Sequence, residues 1–138
     1  MWLYEDKEFI LEEDSPWYGF IYQIENLTNG KKYIGRKYFS SAKTKVVKGK
    51  KKRSRVESDW KEYYGSSPTL KADIDLLGKE QFKRTILYLC KGRAECSYRE
   101  TQEIFRTDAI LKDSYYNSWV SAKIHAIHLK HLLIEGTL

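Results

Sequence analysis

Phe20-Ile21-Tyr22-Gln23-Ile24-Glu25-Asn26, followed after a short gap by Asn29-Gly30-Lys31-Lys32-Tyr33-Ile34-Gly35, are the two runs on which the fold turns. The wider segment Trp17 to Glu25 is rich in aromatic and β-branched residues and reads as a strand. Asn29-Gly30 is a hairpin signal, because both central positions of a type I′ turn need φ > 0. Lys31 to Lys37 is then the returning strand. The loop length sets the parity. A two-residue loop pairs Thr28 with Lys31 and puts Tyr33 opposite Asn26. A four-residue loop pairs Asn26 with Lys31 and puts Tyr33 opposite Ile24. Either way Tyr22 and Tyr33 share a sheet face, since side chains alternate with period two. An odd loop or a bulge would separate them.

Outward from this hairpin, residues 1 to 16 are a mixed lead-in. Residues 38 to 56 lack periodicity and read as a basic, mobile loop. Ser58 is an N-cap for a short helix over Asp59 to Tyr64, stopped by Gly65. Ser67-Pro68 starts a second helix, with Leu70, Ile74 and Leu77 as its apolar stripe and Gly78 as its end. Gln81 to Cys90 is a third strand. Ala94 to about Leu111 is helical, with Tyr98, Ile104, Phe105 and Ile110 facing inward. Tyr115 to Ser118 is a loop, and a final helix covers about residues 119 to 134, with Val120, Ile124 and Ile127 on one stripe. With no repeat and no linker, residues 1 to 138 form a single domain. Its class is α/β in the broad sense (α+β), with a small, mainly antiparallel three-stranded sheet flanked by helices.

The composition fits one globular domain of 138 residues, with 41% apolar and 32% charged residues. No apolar run reaches the roughly 18 residues of a membrane helix, and the N-terminus lacks a signal core. Cys90 and Cys96 fit no zinc or redox spacing and read as reduced, partly buried thiols. These features point to an intracellular protein with no membrane partner. The net charge of +6 hides an asymmetry. Residues 31 to 55 hold twelve Lys or Arg and no acid, while the remainder has 13 basic and 19 acidic residues. A charge run is usually a solvated face, but one this dense and free of acids points to a polyanion, with nucleic acid ahead of a membrane surface.

Phe20-Ile21-Tyr22 and Tyr33-Ile34-Gly35 resemble the paired motifs of the GIY-YIG nucleases. Phe20 stands where the first motif has glycine, although Gly19 precedes it, and the second triplet is intact. The resemblance continues through Trp60, Tyr63, Gly65-Ser66-Ser67, Glu100, Ile104 and Asn117, and so covers most of the chain. Within the superfamily it looks most like the phage-borne, Seg-type homing endonucleases. It implies a metal-dependent endonuclease acting on DNA, expected to be double-stranded, in the cytoplasm of a bacterial host if phage-encoded. The products would be a 3′-hydroxyl and a 5′-phosphate, formed by single displacement.

Phosphodiester hydrolysis needs an activated water, neutralisation of phosphate charge and help for the leaving oxygen. The resemblance makes Glu100 the ligand of Mg²⁺ or Mn²⁺, with Glu103 as the neighbouring alternative. It makes Tyr22 and Tyr33 the motif tyrosines, one contacting the attacking water and the other orienting the phosphate. A tyrosine has a pKa near 10 and is a poor base unless cations stabilise its phenolate; the positive charge nearby offers that. With eleven tyrosines in the chain, the bland alternative is two rings packed on a sheet. Relatives carry an arginine just before the position of Trp60, where this chain has Asp59. The missing cation is then expected from Arg36 or Lys37 on the strand, or from Arg53 or Arg55 upstream of the helix; Arg36 is favoured for its rigid strand position, with Arg55 as the backup. Tyr63 is the hydroxyl expected near the leaving group, and Asn117 an amide supporting the site or touching substrate.

Lys43, Lys45, Lys48, Lys50, Lys51, Lys52 and Arg53 form the expected clamp on DNA phosphates. Ser66 and Ser67 could add contacts at a helix N-terminus, or simply link two helices. His125, His128 and His131 drift around the last helix and read as a polar face, not a metal site. Two other readings compete: a non-catalytic nucleic-acid-binding domain on a degenerate nuclease scaffold, motivated by Phe20 and Asp59, and a restriction, repair or junction nuclease of the same fold. Little chain follows the catalytic region, so specificity is expected from few bases, from a homodimer or from an accessory partner.

Overall fold

The computed structural model describes residues 1–134. The chain opens with two short strands, β1 (Leu3–Tyr4) and β2 (Lys7–Glu8), joined through Glu5 and Asp6 at φ 51° and 66°. The motif hairpin follows as β3 (Gly19–Asn26) and β4 (Lys32–Tyr38). A second hairpin, β5 (Ser40–Val47) and β6 (Lys50–Glu57), leads to a single 3-10 turn, Trp60–Glu62. Helix α1 (Pro68–Leu77) starts on the Ser67 hydroxyl, which accepts from Leu70 N at 3.3 Å. Strand β7 (Phe82–Cys90), helix α2 (Arg93–Thr107) and the short α3 (Lys130–Ile134) complete the described chain.

The main sheet has the order β2-β1-β7-β3-β4, antiparallel except where β1 runs parallel to β7. It is thus a five-stranded sheet, not the expected three. The three expected strands form its centre and one edge. The two extra strands are two residues each, too short to carry a period-two signal. They are held by the indole of Trp2, which donates to Trp60 O at 2.7 Å and packs edge-on to Phe20 and Tyr22.

β3 is buried at six of its eight positions because both faces of the sheet are covered. One face carries Phe20, Tyr22 and Ile24 against Trp2, Phe39, Trp60 and the α1 residues Leu70 and Ile74. The other carries Ile21 and Ile34 against Cys90, Cys96 and Ile104 of α2. A register shift between Ile21 and Tyr22 against β7 leaves this two-sided pattern intact. Phe20 fills the core between Trp2, Phe39 and Trp60, so a large ring, not a glycine, suits this chain's own packing. Cys90 and Cys96 are free and fully buried.

Three further expectations are corrected. The segment at 38 to 56 is not a loop but a two-stranded ribbon, closed by Lys48 and Gly49 at φ 53° and 73° as a type I′ turn. Its Thr and Val residues alternate with lysines, so neither face is apolar and the periodicity is hidden. The helix expected over Asp59 to Tyr64 is only the one 3-10 turn. No continuous helix spans 119 to 134: residues 118–125 have no regular structure, and only Ala126–His128 and α3 are helical. Asn117 is committed to the sheet edge, and Ser118, Val120 and Ser121 are weak helix formers. Of the apolar residues in this stretch, Leu132 is buried, whereas Trp119, Ile127 and Leu133 are exposed. Phe105 of α2 is also exposed. The last four residues of the expected domain lie outside the described residues.

Candidate active site

The β3–β4 register is that of the four-residue loop. Asn26 N donates to Lys31 O at 2.8 Å, Ile24 faces Tyr33, and Tyr22 faces Gly35. The Tyr22 and Tyr33 rings therefore stand side by side, with centroids 6.1 Å apart. Gly35 is what lets Tyr22 lie there. A Cβ on Gly35 would stand 2.5 Å from Tyr22 Cζ and would also strike its hydroxyl. The phenol thus crosses the edge strand and reaches a cleft of about 280 Å³.

This cleft is lined by Tyr22, Tyr33, Arg36, Glu100, Asn117, Ser66 and Ser67, among others. Arg36 points to the opposite sheet face from Tyr33 and meets Glu100 of α2, Nη1 to Oε1 at 3.1 Å. Glu100 is the α2 carboxylate in the cleft; Glu103 is turned away, accepting from Tyr88 at 3.3 Å and pairing with Arg106. Burial pushes the Glu100 carboxyl above the usual glutamate range, and the Arg36 charge with its hydrogen bonds pulls only partly back. Among the described residues no three His, Cys, Asp or Glu side chains cluster. A single carboxylate facing a cleft suits a hard cation that keeps most of its waters, such as Mg²⁺. It does not suit zinc, which takes three or four protein ligands.

Both motif tyrosines hold their protons. Burial lifts Tyr22 well above the ordinary tyrosine value, and Tyr63, Tyr33 and Glu100 all push the same way. Burial also raises Tyr33, although the Ser66 hydroxyl, 3.2 Å away, acts against it. The expected stabilisation of a phenolate by nearby cations is therefore not present in the free protein. The ribbon lysines are all exposed, and Arg36 is paired with Glu100. The two hydroxyls are set up as donors.

Tyr63 does not line the cleft. Its ring packs edge-on against Tyr22, centroids 5.9 Å apart. Lys37 lies on the tyrosine face, with Nζ 4.0 Å from the Tyr63 ring centroid and 2.6 Å from Asp59 Oδ1. The hydrogen bond from Lys37 in turn holds the exposed Asp59 carboxyl below its ordinary value. Asp59 thus anchors a cation supplied by β4. Arg55, the backup cation, is at the foot of the ribbon, bonded to Ser40 and over the Tyr18 ring, outside the cleft lining. Lys43, Lys45, Lys48, Lys50, Lys51, Lys52 and Arg53 are all exposed on the ribbon.

Asn117 closes the other side. Its Oδ1 accepts from Ile34 N at 2.9 Å and its Nδ2 donates to Ile34 O at 2.8 Å, so one amide mimics a neighbouring strand. Tyr116 N, donating to Lys32 O, and Lys32 N, donating to Ser114 O, continue that cover along β4. Replacing Asn117 by Ala should cost about 2 kcal/mol, from two buried hydrogen bonds at roughly 1 kcal/mol each. Urea unfolding reads this directly, and an unchanged midpoint would show that water replaces the amide without loss.

The N-terminal part of the chain, from the motif hairpin to Asn117, is therefore one continuous assembly around this cleft. A family model described as "Putative endonuclease segE, GIY-YIG domain" matches residues 2–120. The chain belongs to the GIY-YIG family. It is 32% identical over 100 residues to a protein described as "Putative endonuclease segE" from Enterobacteria phage T4, covering 72% of this chain. The chain spans 40% of the length of that relative. No solved structure matches it at a comparable level.

In GIY-YIG terms the first motif is the middle of β3 and the second the middle of β4, and Tyr22 over Gly35 is the contact that joins them. Two supporting residues escaped the reading of the sequence. Arg84 of β7 is buried and donates to Lys61 O and Tyr63 O at 3.0 and 2.8 Å, fixing the turn that carries Tyr63. The signal was there: Arg84 shares parity with Phe82 and Ile86, both core residues, and a cation at such a position demands partners. Tyr116 donates to Asp73 Oδ2 at 2.6 Å and accepts from Asn26 Nδ2 at 3.0 Å, tying the cleft wall to α1 and β3. Only the adjacent Asn117 carried a motif signal there.

Proposed function

We propose that this chain is a metal-dependent DNA endonuclease that hydrolyses phosphodiester bonds in double-stranded DNA, of the phage homing type. The observation that carries this reading is the meeting of Tyr22, Tyr33, Arg36 and Glu100 in one cleft from three separate elements. Its setting would be the interior of a bacterial host. Specificity beyond the cleft would come from the ribbon, from pairing of two copies or from an accessory partner.

Glu100 would hold Mg²⁺ or Mn²⁺, which when bound supplies positive charge to the phosphate. Arg36 would leave its Glu100 pairing in part and place its guanidinium on the phosphate oxygens, where charge grows. Tyr33, whose hydroxyl meets Ser66 at the cleft wall, is the donor nearest solvent and would orient the attacking water. Tyr22, held by Tyr63, would donate to a phosphate oxygen. The attacking water would give up a proton to solvent as its oxygen bonds to phosphorus, the bond from phosphorus to O3′ would break, and the departing oxygen would take a proton from solvent. Asn117 takes no part in the chemistry; both of its groups serve Ile34.

The test is incubation of purified protein with supercoiled plasmid, with and without Mg²⁺ or Mn²⁺. Metal-dependent nicking or linearisation is expected. Salt-sensitive binding with no cutting, on plasmid and on phage DNA, would replace this reading with that of a binding domain on a nuclease scaffold. The two departures that favour that alternative have structural explanations here: Phe20 is core, and Asp59 holds Lys37.

A further inference from the structure

The β5–β6 ribbon has more structure than a phosphate clamp requires. Each strand has eight residues, and the ribbon forms a sheet of its own, apart from the main one. At about 3.4 Å per residue it extends roughly 27 Å. Among the described residues, none of the cations from Lys43 to Arg53 is in a salt bridge. The foot, by contrast, is fastened. Arg55 holds Ser40, Ser58 N donates to Phe39 O, and the Ser58 hydroxyl donates to Tyr38 O.

Strand parity sorts the side chains. Thr44 faces Arg53 and Val46 faces Lys51 across one surface. Lys45 faces Lys52, Val47 faces Lys50, and Lys43 faces Ser54 across the other. The two surfaces differ chemically. Arginine presents a planar fork that matches the O6 and N7 acceptors of guanine, and the methyls of Thr and Val match that of thymine. Lysine is a compact point charge suited to phosphate. The major groove, about 12 Å wide, admits a two-stranded ribbon.

We propose that the β5–β6 ribbon lies in the major groove of duplex DNA and reads sequence, with the Thr44, Val46, Lys51 and Arg53 surface on base edges and Lys43, Lys45, Lys50 and Lys52 on phosphates. This rests on the reading of the chain as a DNA-binding nuclease. Only Phe39 separates β4, which carries Tyr33 and Arg36, from β5. The bases read therefore stand at a fixed offset from the bond cut.

The experiment is selection of bound duplexes from a randomised pool in EDTA, where no cutting occurs, followed by sequencing. Wild type is expected to enrich a short motif, with roughly 5- to 150-fold discrimination at the base met by Arg53. Lys51→Ala/Arg53→Ala should return the pool to its input composition while the salt slope stays nearly unchanged. Lys43→Ala/Lys45→Ala/Lys52→Ala should keep the motif and lower the slope of log affinity against log salt by about 2.7, at 0.9 per phosphate. No motif for wild type, or loss of the motif in the lysine variant alone, overturns the proposal. The ribbon side chains are exposed, so the fold of the body is not at stake in either variant. A motif enriched by a protein that never cuts plasmid would uphold ribbon reading and sink the nuclease instead.

Discussion

Glu100→Gln is expected to lower the proposed DNA cutting by roughly 10³-fold or more and to leave the protein at least as stable at pH 7. The rate figure reflects the several kcal/mol that a metal ion supplies at a reacting phosphate, at about 1.4 kcal/mol per tenfold. An amide of the same shape loses the negative charge that would hold the ion. The stability statement follows from the raised pKa of Glu100. An acid whose folded pKa lies above its unfolded value favours folding when protonated, and that advantage is lost as pH rises through the two values. At pH 7 the ionised carboxylate is therefore a net burden that glutamine lifts. The same shift sets the pH profile. Cutting should fail on acidification through a pKa above the usual glutamate value of about 4.3. Arg36→Ala should move that limb further up, since Arg36 is what lowers it. Thermal unfolding and plasmid nicking across pH give both readings. A Gln variant that cuts as wild type would remove Glu100 from the mechanism, and one that melts well below wild type would show the Arg36 pairing to be structural.

Gly35→Ala should be nearly as damaging to cutting, though it adds a single methyl. Tyr22 is 1% exposed, and its ring is closed in by Trp2, Phe20, Tyr33 and Tyr63 at centroid distances of 5.2 to 6.1 Å. It cannot turn aside without moving its neighbours. Overpacking of this kind costs about 1–3 kcal/mol. A displacement of about 1 Å at a reacting centre costs on the order of 10² in rate. Tyr22→Phe is the companion variant: it keeps the ring and removes only the hydroxyl. Loss of cutting in both, with loss of stability in Gly35→Ala alone, is the expected pattern. Full cutting by Tyr22→Phe would limit Tyr22 to a packing role.

The central hairpin was legible because its signals agree: β-branched and aromatic strands, an Asn-Gly turn, and a parity that any even loop preserves. Ser67-Pro68 and Gly78 likewise bounded α1 within a residue. The failures have physical causes. β1 and β2 are made by Trp2 reaching Trp60, 58 positions away, which no local window registers. The ribbon was hidden because electrostatics had set its composition. The final helix was over-read from three aliphatic residues at helical spacing, although the sheet edge had already claimed Asn117. Of the site, the order and parity of the tyrosines were visible, as was a cation on β4. The buried state of the Tyr22 hydroxyl, and hence its proton, depends on tertiary packing and was not.

Among the described residues no strand pairs with either long edge of the ribbon, which leaves two rows of backbone N–H and C=O groups able to bond another chain. Like charges on its side chains keep two such ribbons from zipping together, and in the proposed complex DNA would cover the strands whose charges it neutralises. Short polyanions or concentrated salt would neutralise the charge without the cover. The feature proposed to hold nucleic acid is therefore also the place where self-association of this protein is expected to begin.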